Sequence, residues 1–272
     1  MTSRPVAVVV PLSPRPTLSA DEEISLRHLV HFLGRYDKYF LTPKSLNFKR
    51  PGFGVMPFAD RYFGSRVAHA RLQVSEEFYS RFRDYQYILI YHLDALAFSD
   101  ELEEWCQSDY DYIGAPWLPC EDSPWVTHPR VGNSGFTLMK IDSALKVMHS
   151  RQRTVDPDEY WNQFCAANPR YRQLLNLPRK YLKRLRFFNG VKNEMRQWPY
   201  RNDGSGNADF FWSDRAIRYW PAFKIPSVET GLKFAFEVAP RMCYQLNNYQ
   251  LPFGCHAWPL YDREFWKPYL LK

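Results

Sequence analysis

An α/β fold with a mainly parallel central sheet is what this sequence predicts, and three observations carry that expectation. A β-branched run at residues 6–11 is followed by a helical pattern that starts at Ser19. A second apolar strand, Tyr85–Tyr91, follows another helical pattern and runs straight into His92-Leu93-Asp94. The 272-residue chain is 45% hydrophobic and 24% charged, a composition able to bury a full-sized core rather than remain disordered.

The elements follow in order. Val6-Ala-Val-Val-Val-Pro carries no polar residue, as a strand buried on both faces of a parallel sheet requires. Ser19-Ala-Asp-Glu-Glu begins with a cap residue followed by acids, and Ile24, Leu26, Leu29, Val30 and Leu33 recur at helical spacing up to Gly34. Residues 38–43 form a second strand and Gly54–Phe58 a third, and 67–82 reads as one amphipathic helix. Residues 131–139 form a glycine-bracketed loop leading into a short strand, with a helix over 142–149. A basic helical insertion spans about 157–198, and the chain closes in short segments rich in Pro, Tyr, Phe and Trp. No repeat, low-complexity tract or linker divides the chain, so one domain over 1–272 is expected.

Charge and cysteines narrow the class. The chain has 36 Lys+Arg against 29 Asp+Glu, a net +7. No apolar stretch approaches the roughly 18–20 residues of a membrane span, and the apolar run ending at Pro11 is too short for a secretory signal. A cytoplasmic protein is therefore expected, with peripheral contact at the inner face of the membrane. The five cysteines show neither CxxC spacing nor a disulfide framework, and they are expected to be reduced and mostly buried. Aromatics, at 17%, suit a dense core or platforms for sugars and bases.

Four constellations can carry chemistry. Asp94, at the end of an apolar strand beside His92, is placed to hold a divalent cation, because hard oxygens suit Mg²⁺ and Mn²⁺; it would equally cap the turn at residues 99–105. Gly132-Asn133-Ser134-Gly135-Phe136 offers a backbone that substrate can approach closely, though a tight turn explains it as well. Asp209 precedes Phe210, Phe211 and Trp212 after a flexible Asn202-Asp203-Gly204-Ser205-Gly206 segment. A carboxylate beside an aromatic wall suits a general base acting on a sugar hydroxyl, while Asn207 or Asp209 would also cap a helix running to Trp220. His256 sits in a compact turn, Pro252-Phe-Gly-Cys-His-Ala-Trp. Separately, residues 179–201 carry eight basic side chains and one acid, and Leu182, Leu185, Phe188 and Met195 can share one helical face, as in an element that rests on anionic lipid or binds acidic ligands, though a solvated helix face explains it as well.

Tyr110-Asp-Tyr-Ile-Gly-Ala-Pro-Trp117, Val131-Gly-Asn-Ser-Gly-Phe136, Asn207-Ala-Asp-Phe-Phe-Trp212 and Pro252-Phe-Gly-Cys-His-Ala-Trp258 occur together and in this order. In them the sequence resembles a bacterial family of GT-A-type, glycosyltransferase-like proteins over roughly residues 5 to 270. The resemblance implies a GT-A-like fold with a donor-binding part at about 5–115 and an acceptor and catalytic part at about 116–272. It implies a nucleotide-sugar donor, UDP-linked, and a saccharide or lipid-linked acceptor in polysaccharide biosynthesis. Asp94 then stands at the metal-binding acid of a DxD motif and His256 at the C-terminal metal or diphosphate ligand, with Mn²⁺ or Mg²⁺ as cofactor. Pro11, Trp117, Gly132, Asn133, Ser134 and Gly135 would line donor and acceptor, and Asp209 would be the catalytic base. The chain departs from the pattern in having one acid in His92-Leu93-Asp94, Ala208 where relatives carry Glu, and His69-Ala70 where they carry Tyr-Asn.

The expectation is an inverting, metal-assisted glycosyltransferase. The rival readings are a basic nucleic-acid-binding protein and a non-catalytic sugar-binding module. A nucleic-acid partner is not expected, because the positive charge is confined to one segment while the acids and the glycine loop lie elsewhere.

Overall fold

The first strand, β1 (Arg4–Pro11), owes its place to its β-branched residues, which are buried from position 6 to position 10. The computed structural model describes residues 4–201 and 205–271, so Asn202-Asp203-Gly204 of the segment read as flexible lies outside it. Ser19 then opens helix α1 (Ala20–Leu33) with a reciprocal capping box: its hydroxyl accepts from the Glu22 amide, and the Glu22 carboxylate accepts from the Ser19 amide. Strands β2 (Asp37–Pro43) and β3 (Gly54–Phe58) follow, and Pro57 is tolerated because β3 lies at the sheet edge.

The predicted helix over 67–82 is two helices, α2 (Arg66–Gln73) and α3 (Glu76–Ser80). Ser75 causes the break. Its hydroxyl donates to the Leu72 carbonyl and accepts from the Phe78 amide, which starts a new helix where the periodicity alone would continue the old one.

After β4 (Tyr85–Tyr91) come β5 (Leu96–Ala97) and α4 (Leu102–Gln107), then β6 (Tyr112–Ile113), β7 (Pro116–Trp117), β8 (Arg130–Val131), β9 (Phe136–Lys140) and α5 (Ile141–Met148). The main sheet has the order β3-β2-β1-β4-β9-β6, with β1 to β4 parallel and β9 antiparallel to β4 and β6. It is an α/β fold with a mainly parallel central sheet. Successive residues of β1 face opposite layers: Ala7 and Val9 pack toward α2, α3 and α5, and Val6, Val8 and Val10 toward α1.

The insertion contains α6 (Pro157–Ala167), α7 (Arg170–Leu175), α8 (Leu177–Leu182) and α9 (Val191–Gln197). Leu182, Leu185, Phe188 and Met195 do not share one helical face, contrary to the expectation. The chain leaves the helix after Leu182, and Asn189, buried, pins the turn by donating to the Val155 and Lys183 carbonyls. Met195 is consequently buried while the other three stay exposed.

Next come α10 (Ala208–Phe210), a π-helical turn at Phe211–Arg215, α11 (Ala216–Tyr219), α12 (Val228–Phe234), β10 (Ala235–Phe236), α13 (Pro240–Leu246), β11 (Gly254–Cys255) and α14 (Arg263–Trp266). Strands β10, β11 and β5 form a small second sheet. All five cysteines are free thiols, but only Cys243 and Cys255 are buried, fewer than expected, because the other three lie on partly exposed elements. No helix among the described residues is long and apolar enough to cross a membrane.

Replacing Ser19 by alanine removes one half of the capping box and should destabilise the fold by about 1 kcal/mol, read as a lowered midpoint in thermal unfolding. An unchanged midpoint would show that the cap contributes nothing in this context.

Candidate active site

Three chain segments meet beyond the carboxyl ends of the parallel strands. Strand β4 delivers His92 and Asp94 there, beside the end of β1 at Pro11. Because β9 runs antiparallel with Phe136 opposite Tyr91, the loop before it starts at the same edge, and the His92 amide donates to the Gly135 carbonyl (2.8 Å). The small sheet supplies the third segment. Phe236 pairs with Cys255 and Cys255 with Leu96, so the residues that follow, Glu237 and His256, emerge side by side and next to Asp94.

This register builds a chain of charges. His256 Nδ1 lies 2.9 Å from Glu237 Oε1, and its Nε2 lies 3.2 Å from Asp94 Oδ1. Burial disfavours a charged His256, but Asp94 and then Glu237 outweigh it and push its pKa up to about 10. Burial likewise opposes ionisation of Asp94, yet His256 and His92 hold its carboxyl well below the usual carboxylate range. Glu237 is 7% exposed and accepts two further hydrogen bonds, from Asn133 Nδ2 (2.5 Å) and Trp117 Nε1 (3.1 Å). Opposite them, His69 Nε2 lies 3.0 Å from both His92 Nε2 and Gln73 Nε2. Burial, with His256 nearby, lowers the His69 pKa to about 4; burial, His69 and His256 hold His92 well below its ordinary value, so both are neutral near pH 7.

Donor atoms of His92, Asp94 and His256 lie within 4.8 Å of one another. The set fits a divalent cation provided His256 gives up its Nε2 proton on binding, because an imidazolium has no lone pair to donate. One nitrogen of His256 is oriented by a carboxylate while the other faces the site, the arrangement that aligns metal-binding histidines. With two imidazoles and one carboxylate, the donors suit Mn²⁺ better than Mg²⁺, which prefers oxygen alone.

Two cavities adjoin at Arg66, His69 and His92. The larger, about 690 Å³, is lined by Pro11, Tyr62 and Asp94. The smaller, about 290 Å³, is lined by Trp117, Asn133, Ser134, Gly135, Asp209 and His256. Asp209 sits at the start of α10, and burial, reinforced by Glu237, pushes its pKa up to about 7. Its Oδ1 accepts from the Phe210 amide (2.8 Å), and Asn207 makes no side-chain cap, so neither residue caps the helix as the structural alternative expected.

Several expectations change. Of the aromatic wall after Asp209 only Phe210 lines the cavity, while Phe211 and Trp212 turn into the core. The glycine loop does not open its backbone to substrate at both glycines: a Cβ on Gly132 would collide with the Trp117 indole, and one on Gly135 with the His256 imidazole. The close approach is made by the protein's own rings. Asp94 does not cap the following turn, since its carboxylate faces His256. Trp117 is packed in at 3% exposure against Phe210, and the ring open to solvent at the cavity is Trp125, 49% exposed. Sequence reasoning missed Glu237 and Trp125, and it named His69 only as a departure from the family pattern. The signal for Glu237 was present, since Phe234-Ala-Phe followed by an acid repeats the pattern that marked Asp94.

Residues 52–256 match the family described as "Protein of unknown function (DUF5672)", and the chain belongs to that family. Among solved structures it is similar to a glycosyltransferase involved in glycosylation of the major capsid of PBCV-1 (10% identity, TM-score 0.46, covering 93% of this chain and 92% of that one). It is also similar to the apo form of the glycosyltransferase GlyE of Streptococcus pneumoniae TIGR4 (13% identity, TM-score 0.46), covering all of this chain and 61% of that one. A third likeness is to apo mouse xyloside xylosyltransferase 1 (14% identity, TM-score 0.45, covering 94% and 97%). No curated protein matches the sequence.

The raised pKa of Asp209 carries a stability signature. Between its unfolded value near 3.8 and its folded value near 7 the native state holds a proton that the unfolded chain has lost, so stability from this group falls as pH rises through that window and is flat above it. With chelator present, Asp209→Asn should melt progressively higher than wild type as pH is raised from 4 to 7, by on the order of 2–4 kcal/mol at the plateau. A pH-independent difference would show that the carboxyl is not perturbed.

Proposed function

We propose that this protein is a glycosyltransferase that moves a sugar from a nucleotide-sugar donor, UDP-linked, to a saccharide or lipid-linked acceptor with inversion. One juxtaposition carries the reading: His92 and His256 of the candidate cation-binding set line the same cavity as Asp209, a buried carboxyl with a pKa near 7. The larger cavity, bounded by Pro11 and Asp94, has the size for a nucleoside diphosphate, and the smaller suits the transferred sugar beside Asn133, Ser134 and Asp209.

In this reading His92, Asp94 and His256 would hold a divalent cation, Mn²⁺ in preference to Mg²⁺, and the chemistry it would supply is positive charge for the departing diphosphate. Asp209 accepts the proton of the acceptor hydroxyl. That oxygen forms a bond to the anomeric carbon as the carbon–phosphate-oxygen bond breaks and its electron pair leaves with the diphosphate. A base titrating near 7 is matched to this task at neutral pH, because it is ionised yet still basic enough to take the proton. Glu237 keeps His256 oriented, and the packed Trp117 and Phe210 exclude water from one side of the base.

A thermal-shift screen of nucleotide sugars with and without Mn²⁺ tests the reading directly. A true donor at a hundred times its dissociation constant should stabilise the fold by about 2.7 kcal/mol, and release of nucleoside diphosphate should follow on adding acceptor. Asp94→Asn should abolish both the Mn²⁺ and the donor shift. Asp209→Asn should keep the donor shift and reduce turnover by about 10²–10⁴-fold. Wild-type kcat/KM should rise with pH and level off above about 7, since the base acts only when ionised. Full turnover in Asp209→Asn would refute the assignment.

Trp125 exposes its ring at the smaller cavity beside Phe210, on the side from which an acceptor would approach Asp209, where the acceptor's pyranose face can stack on it. Trp125→Ala should raise the acceptor KM by about two- to tenfold and leave donor hydrolysis unchanged. An unaltered acceptor KM would remove Trp125 from the site.

A further inference from the structure

The helical insertion departs from the rest of the molecule in what it leaves uncovered. Helix α6 buries only Pro157, and α7 and α8 bury nothing. Nine of the seventeen large apolar side chains exposed among the described residues fall between positions 171 and 188, including Leu174 (67%), Leu175 (77%) and Phe187 (71%). Soluble surfaces do carry single exposed leucines, but not a run of this density.

Basic side chains are interleaved with the apolar ones. Arg170, Arg179 and Arg186 are exposed and enter no ion pair among the described residues, and Lys180 and Lys183 lie over the rings of Trp161 and Tyr160. At the base of the patch a groove of about 530 Å³ is lined by Arg186, Lys192, Arg196 and His149 with Phe187 at its side; Glu76 pairs with Lys192 and His149. Of the three acids of the insertion, Asp158 and Glu194 pair with Arg184 and Arg215, and Glu159 accepts from Gln163, against a larger number of basic side chains. The patch therefore presents apolar side chains in a field of net positive charge.

We infer that the surface formed by α7, α8 and the turn after them docks on an anionic phospholipid bilayer. The occupant follows from the combination of side chains. Guanidinium groups pair with lipid phosphates, while exposed leucines and Phe187 gain by entering the acyl boundary, which an aqueous polyanion cannot offer. A nucleic acid would use the charge and the aromatic rings but has no use for Leu174, Leu175 and Leu177. The inference goes beyond the transferase reading and does not depend on it, since its readout is binding to lipid.

Sedimentation with vesicles tests it, using phosphatidylglycerol mixed with phosphatidylcholine against phosphatidylcholine alone. The wild-type chain should bind only the anionic vesicles, and added salt should weaken the binding. Replacing Arg170, Arg179 and Arg186 by Gln should lower partitioning roughly fivefold per charge removed, about a hundredfold together, with unfolding midpoint unchanged. Leu174, Leu175 and Phe187 replaced by Ser should lower it independently, which a purely electrostatic contact would not show. Failure of the wild type to bind at low salt, equal binding to neutral vesicles, or full binding by the serine variant would overturn the inference. So would light scattering that finds a dimer disrupted by the serine variant without vesicle binding, because a second copy would then cover the patch.

Discussion

Glu237 accepts hydrogen bonds from Asn133, Trp117 and His256 at once, and those three side chains come from three separate stretches of the chain. A carboxylate this deeply buried is tolerable only when hydrogen bonds and an opposite charge offset its lost hydration, and removing one partner of such a pair typically costs about 3–5 kcal/mol. The requirement works in both directions. It fixes the tilt of the His256 ring, and through it the 3.2 Å approach to Asp94, and it holds the Asn133 loop against the Trp117 indole. It also places negative charge close enough to Asp209 to assist burial in keeping that carboxyl protonated up to about pH 7.

The orientation of β9 is the second constraint. Were it parallel to β4, the loop at 131–135 would lie at the opposite edge of the sheet, about one strand length from His92. Antiparallel pairing of Tyr91 with Phe136 brings the loop to the carboxyl edge instead. The mixed sheet therefore gathers onto one rim what an all-parallel sheet would separate, and the rim is where ligands bind in open α/β sheets.

Burial is distributed unevenly, and this divides the molecule by role. Both faces of β1 and β4 are covered, so the rim residues stand on a rigid platform. The insertion, by contrast, is held through Asn189 and α9 and offers its side chains outward.

Periodicity and local chemistry made much of this fold legible in the sequence. The strands at 6–11, 38–43 and 85–91 were evident because burial on both faces demands segments dominated by apolar residues, and α1 because its cap is a local motif. Asp94 was legible for the same reason, as the acid that ends such a run. The break at Ser75 and the turn pinned by Asn189 were not, because a side-chain cap and a contact made 34 residues away override helical spacing. Nor could the sequence decide that Trp117 is packed while Trp125 is open, or that Glu237 would meet Asn133 across 104 residues. Those depend on strand register and direction, which arise only when distant segments compete for the same sheet edges. What the sequence by itself determined is therefore an α/β chain with acids at its strand and helix ends; which of them face one another was decided by the tertiary structure, because register couples residues that no local pattern connects.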